Sequence, residues 1–226
     1  MFNFFGKLTF ALICLIGSVA FSRAIVDFVQ FCGFDPAHTF WPFLAGASLY
    51  FLLWAIFFAH REPFWSVLEH EIIHLIFAVL SFKRVHSIYA GRNGGRVETE
   101  GDNFVIALAP YFFPLTTVIV LLFKPAVNYE LQFWLNGVLG FSLMFHLIYL
   151  LKEFHFNQPD LQRNGLLFSS IVIIFFNILF VGLCISSLQG NWQDMNVFLI
   201  SGYAECHSYV ESARQVVWQS SQARLP

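Results

Sequence analysis

The chain has 226 residues, with 12 Lys+Arg against 14 Asp+Glu, so 12% is charged, where soluble domains carry roughly 25%. Hydrophobic residues make up 58%, mean hydropathy is +0.66 and 30 residues are Phe. A soluble globule of this size has too little interior for that much apolar surface, which excludes an ordinary soluble enzyme, a disordered chain and a disulfide scaffold. The net charge of −2 provides no basic field, so no nucleic-acid partner is expected. The solvent implied is a lipid bilayer.

A membrane crossing takes about 20 mostly apolar residues. Six such runs occur, at about 8–32, 41–60, 64–82, 104–124, 131–151 and 166–187. The first run follows Lys7 and carries Ser18-Val19-Ala20, a weak signal-peptide cleavage pattern, but apolar character resumes at Ala24 and favours a retained helix. Cys14 and Cys184 lie in apolar runs and read as small core residues, and the four cysteines show no metal-site spacing.

Between the third and fourth runs the pattern changes. Two short β-branched or aromatic stretches, 84–90 and 95–101, flank Gly91-Arg92-Asn93-Gly94-Gly95. Asn-Gly tolerates the two positive φ angles of a type I′ turn, so the spacing predicts a β-hairpin over 84–101. From 189 onward polarity rises, and apolar residues recur at 195, 198, 203, 209, 210, 213 and 217. This spacing predicts an amphipathic C-terminal helix over 189–226, either lying at the membrane interface or packed on the bundle or on a partner subunit. Residues 1–188 then form one membrane domain. The fold class expected is an all-α polytopic membrane protein of about six transmembrane helices with one small hairpin.

Orientation follows from basic residues near the ends of the runs. Arg23, Lys83, Arg84, Arg92, Arg96, Lys152 and Arg163 fall on one side; Lys7, Arg61 and Lys124 fall on the other. The richer side, with the hairpin and the 152–165 loop, is expected to be cytoplasmic, with both termini outside.

The third run contains Glu69-His70-Glu71-Ile72-Ile73-His74. On a helix, positions i and i+4 share a face about 6 Å apart along the axis. His70 and His74 can therefore hold one Zn²⁺, with Glu71 beside them to take a proton from the attacking water. An ionisable group at a membrane-helix centre costs about 2.5–3.5 kcal/mol, so this cluster is a functional site by default; the bland alternative is a metal-free hydrogen-bonding cluster between helices. Glu69 is assigned no catalytic role and orients a histidine or faces a water-filled cavity. Catalytic zinc takes three protein ligands. The segment after the fifth run, Glu153-Phe154-His155-Phe156-Asn157-Gln158-Pro159-Asp160, offers Asp160 first and His155 next. Pro159 can begin the sixth helix, placing Asp160 in its first turn, where the alternative role is an acid favouring the helix dipole. His146 reads as a buried hydrogen-bonding histidine able to support the site. His38, His60, His86 and His207 read as surface residues.

His70-Glu71-Ile72-Ile73-His74 in a membrane helix resembles the site-2 protease family of intramembrane zinc metalloproteases. In that family a membrane-associated hairpin follows the motif helix and a later helix supplies an aspartate as third ligand; the order here is the same, and Ala109-Pro110 is similar to the small-residue-Pro element after the hairpin. The family's third-ligand segment has Asn, then prolines, then Leu-Asp-Gly, whereas this chain has Asn157-Gln158-Pro159-Asp160-Leu161 with Gly165 further on. The resemblance implies a zinc metalloendopeptidase with His70, His74 and Asp160 as ligands and Glu71 as base. Asn157 and Gln158, with His155 and His146, would either contact substrate or support the ligands from behind. It also implies a single-span membrane-protein substrate and a place in a bacterial inner membrane, and the basic-residue count puts the active site nearer the cytoplasm. Two rival readings are a non-proteolytic metal-bearing scaffold, contacting partner subunits through the C-terminal helix, and a transporter of metal or protons.

Overall fold

The structure, a computed structural model, describes residues 4–31, 33, 35–59, 64–91 and 94–222. In chain order it has α1 (Phe4–Phe31), α2 (Phe40–Leu53, continuing as a wider π-type turn over Trp54–Phe58), α3 (Phe64–Leu80), β1 (Val85–Gly91) and β2 (Gly94–Thr99). Then come α4 (Phe104–Phe112), α5 (Leu115–Phe123), α6 (Tyr129–Glu153), α7 (Pro159–Asn164), α8 (Leu166–Ser186) and α9 (Trp192–Gln222). Among the described residues four helical segments are long and apolar enough to cross a membrane, α1, α2 with its π turn, α6 and α8, and a bent pair, α4 with α5, makes a fifth if counted as one span. The chain is an all-α polytopic membrane protein with one small antiparallel hairpin, as its composition implies.

Close helix packing is set by small residues. On α1, Cys14, Gly17, Ala20, Ala24 and Phe28 form the buried stripe, and a Cβ on Gly17 would press into the Phe175 ring of α8. Between α2 and α6, a Cβ on Gly46 would overlap the Gly137 carbonyl, and one on Gly140 the Phe43 carbonyl. Lipid tails are as apolar as the helices, so such backbone approach, rather than hydrophobicity, holds the pair.

At one end of the bundle a polar knot satisfies helix-end carbonyls that lipid would leave unpaired. The buried Lys124 ammonium donates to the Ser187 carbonyl. Gln132 Nε2 donates to the Lys124 carbonyl at 2.7 Å, and Asn136 Nδ2 donates to the carbonyls of His38 at 3.0 Å and Leu188 at 3.1 Å. The knot ties together the ends of α2, α5, α6 and α8.

Two of the expected spans fold differently. The 104–124 run is a pair of helices bent by 72°. Pro114 has no N–H and disfavours the helical region for Phe113, which takes φ −103°, ψ 100°. The 64–82 run is only the 17-residue α3, rising about 25 Å against a hydrocarbon core of about 30 Å. His70 in its second turn bonds Glu153 at the end of α6, and Ser81 just past its end accepts from Asn103, the N-cap of α4. From His70 onward α3 therefore stays at one end of the bundle, opposite the Lys124 knot, instead of crossing.

That changes the count of crossings. Lys7 Nζ donates to the Asn164 carbonyl at 3.0 Å, and Phe10 packs on Phe104 and Phe168. The N-terminal end of α1 thus lies with the 152–165 loop, not opposite it. Lys7 therefore sides with Lys83, Arg84, Arg96, Lys152 and Arg163, while Arg23, toward the other end of α1, falls on the opposite side with Lys124, so among the described residues the basic excess stays at the Lys7 end.

The hairpin lies where the spacing places it. Ile88 pairs with Val97, Tyr89 with Arg96 and Gly91 with Gly94, and one extra residue, His86, bulges between Val85 and Ser87. Gly94 has φ +121°; Arg92 and Asn93 of the expected turn lie outside the described residues, as does His60. Pro159 begins not the sixth span but the separate six-residue α7, which ends because Gly165 takes φ +92°. In the C-terminal helix, Phe198 is fully buried against Phe21 and Gly182, and Glu205 approaches Arg23 at 3.8 Å. The first half of α9 is packed on the bundle, the second of the two arrangements its periodicity allows.

Replacing Gly46 by Val is expected to force α2 off α6 at a cost of about 1–3 kcal/mol. Thermal unfolding in detergent measures it; an unchanged midpoint contradicts the packing described.

Candidate metal centre

α3 presents His70, Glu71 and His74 to one cavity of about 800 Å³, whose lining also includes Tyr111, Glu153, Asp160 and the β2 residues from Gly94 to Thr99. The two histidines are each fixed from behind. His74 Nδ1 lies 2.9 Å from the Ile106 carbonyl, which only accepts, so Nδ1 carries the proton and Nε2 is the lone-pair nitrogen. His70 Nδ1 lies 2.8 Å from the Glu153 carboxylate, which holds the same tautomer. The two Nε2 atoms then face each other at 3.1 Å.

Two lone pairs at that distance repel unless a cation or a proton lies between them. Two nitrogens bound to Zn²⁺ at about 2.0–2.1 Å in a tetrahedral site lie about 3.3–3.4 Å apart. His70, His74 and Asp160 each offer a ligand atom, all within 4.8 Å of one another. The excess over a closed site is within the sweep of an aspartate side chain. The donor set, two imidazoles and one carboxylate with a cavity on the open side, fits a catalytic zinc.

Asp160 is held by α7. Leu161 next to it is fully buried, and its carbonyl accepts from Ser169 at 3.1 Å. Arg163 pairs with Asp102 at 3.2 Å, linking α7 to the segment after the hairpin. Burial pushes the Asp160 carboxyl above its ordinary range, and the neighbouring His70 and the hydrogen bond with Tyr111 pull it back. The Tyr111 ring stands edge-on to His70 at 5.6 Å between centroids.

Glu71 is only 6% exposed, and β2 covers it: a Cβ on Gly95 would overlap the Glu71 carboxyl. A side chain there would displace the carboxylate, so the glycine lets β2 approach Glu71 this closely. Glu69 points elsewhere. Its Oε1 accepts from the Thr116 N–H at 3.0 Å and the Thr116 hydroxyl at 3.3 Å, capping the first turn of α5 after the Pro114 break. Its task is structural, different from orienting a histidine.

Among the remaining expected residues, His146 is buried with Nε2 3.1 Å from Asn177 Oδ1, a hydrogen-bonding role. His155 and Gln158 line the cavity but stand outside the ligand cluster, and Asn157 is exposed and does not line it. His38, His86 and His207 are exposed.

Sequence reasoning passed over Glu153, Tyr111 and Asn177. Glu153 carried a signal: an acid in the last turn of a helix opposes the dipole and needs a partner. Tyr111 did too, since a buried phenol seeks a hydrogen bond. Asn177 donates to the carbonyls of Tyr111 at 3.0 Å and Ile173 at 2.8 Å, and nothing in an isolated apolar run points to those acceptors.

Comparison with models of known protein families, with curated proteins and with solved structures gives no match.

Glu69→Ala removes the acceptor at the start of α5. Stability is expected to fall by about 1 kcal/mol, as loss of an N-terminal cap does. Glu69→Gln, which keeps an acceptor oxygen, should lose less. Denaturation of the two variants in detergent checks the order; equal stabilities refute the capping role.

Proposed function

We propose that the protein is a zinc-dependent peptidase acting on membrane-protein substrates at one face of the bilayer. The observation that carries this reading is the pair of imidazoles anchored through Nδ1, their Nε2 atoms 3.1 Å apart, with Asp160 and Glu71 in the same cavity. The resemblance of the motif and its order to site-2 proteases supports the same reading.

His70, His74 and Asp160 would hold the metal, which when bound supplies Lewis acidity toward water and the scissile carbonyl. Glu71 takes a proton from the attacking water as its oxygen bonds to the carbonyl carbon. As the C–N bond breaks, Glu71 returns the proton to the departing amine nitrogen, leaving one carboxyl and one amino terminus. Tyr111 and Glu153 hold Asp160 and His70 in place while this happens. The basic residues gathered at this end favour a cytoplasmic site, and a bacterial inner membrane is the setting the resemblance implies.

Two measurements separate binding from chemistry. Purified protein should hold about one Zn²⁺ per chain, and the His70→Ala, His74→Ala double variant should hold none. Glu71→Gln should retain the metal yet lose cleavage of a co-expressed single-span substrate by at least about 100-fold. Full zinc in the double variant ends the reading. Zinc binding by the wild-type chain with cleavage of no substrate favours the metal-bearing scaffold.

The substrate has to be unwound, because a helical peptide carbonyl is engaged in the i→i−4 ladder. Unwound backbone in lipid needs partners, and a strand edge supplies them. Of the hairpin's two strands, β2 borders the cavity, so the substrate is expected to align along Gly95–Thr99 in extended form. Val97→Pro, which removes a backbone donor from β2, should abolish cleavage with zinc content unchanged. Normal cleavage by a folded, zinc-loaded Val97→Pro protein excludes β2 as the substrate clamp.

A further inference from the structure

In a regular helix the Ile106 carbonyl would accept from the N–H four residues on. That residue is Pro110, inside α4, and proline has no N–H. The Ile106 carbonyl therefore has no i+4 donor in its own helix. Its pyrrolidine neighbour also crowds the carbonyl four residues back and tilts it away from the helix axis. The group that meets this freed acceptor is His74 Nδ1, at 2.9 Å.

The rest of α4 is built to keep the carbonyl in place. Asn103 caps the helix by accepting from the Ile106 N–H at 2.9 Å and donates to Ser81 Oγ at 3.1 Å, tying the start of α4 to the end of α3. Ile106 is itself buried, and residues 106–112 are buried throughout.

We propose that Pro110 is a positioning residue for His74: by withholding a backbone donor it directs the Ile106 carbonyl to His74 Nδ1, which fixes the tautomer that turns Nε2 toward His70. The effect does not pass through any contact between Pro110 and a metal or substrate. The opposite histidine is held by a side chain, Glu153; His74 is held by a backbone group that residue 110, lacking an N–H, leaves without its i+4 donor. Loss of such an outer partner typically weakens metal binding 10–100-fold.

The inference has two consequences, one independent of metal. In the metal-free protein, nitrogen-15 NMR of the histidine side chains should show His74 protonated at Nδ1 in the wild type. Pro110→Ala and Pro110→Gly both restore an N–H that bonds Ile106, and both should shift His74 toward a mixture of tautomers. Alanine favours the helix and glycine disfavours it, so a shift shared by both follows the restored donor rather than helix stability. The second consequence, which rests on the zinc reading, is that zinc affinity measured by chelator competition falls about tenfold or more in both variants. His74 protonated at Nε2 in the wild type, or unchanged tautomer and affinity in both folded variants, overturns the inference. Wild-type protein that holds no zinc, with the tautomer shift still present, overturns the zinc reading and leaves the positioning role of Pro110 standing.

Discussion

Ionisable side chains within an apolar bundle have to be satisfied by the protein wherever lipid or packed side chains, rather than water, surround them. The arrangement around α3 follows from that constraint. His70, Glu71 and His74 face one cavity, and each histidine is gripped on its far side, His70 by Glu153 and His74 by the Ile106 carbonyl. Glu69, on another side of the same helix, is engaged by Thr116. Four neighbouring structures are thereby fixed relative to α3: the end of α6, the start of α4, the start of α5 and, through Gly95, the hairpin. The fold at this end is shaped as much by these polar obligations as by apolar packing.

The same principle governs the other end with different chemistry. There the groups in need are helix-terminal carbonyls, and the donors are Lys124, Gln132 and Asn136. This buried lysine does not extend a path from the histidine cluster; it is committed to the Ser187 carbonyl at the opposite end of the bundle. A transporter route of linked ionisable groups gains no support from it. The glycine contacts between α2 and α6 lie between these two polar regions.

Much of this was legible in the sequence because its signals are local. Apolar run length identifies the long helices, the Gly-Arg-Asn-Gly-Gly segment separates two strands, and the i, i+4 spacing places His70 and His74 on one face. Asp160 was reachable as an acid next to a helix-starting proline, and it lies close to His70 and His74. What escaped was long-range. Lys7 meets Asn164 across most of the chain, and the crossing count based on run length alone put them on opposite sides. Run length also hid the break at Pro114, since hydropathy is blind to backbone geometry. Glu153, Tyr111 and Asn177 acquire their partners only once α3, α4, α6 and α8 are side by side.

The Pro114 bend has a consequence for how this membrane domain acquires its shape. Each arm is a nine-residue helix, far short of the about 20 residues that a stable independent crossing takes. The first N–H groups of α5 find the Glu69 carboxylate only when α3 is already alongside. The 104–124 segment bends where Pro114 interrupts the helix, and its second arm is capped by a side chain from α3 docked beside it. The chain segment that carries the histidines thus also completes the segment that packs against them.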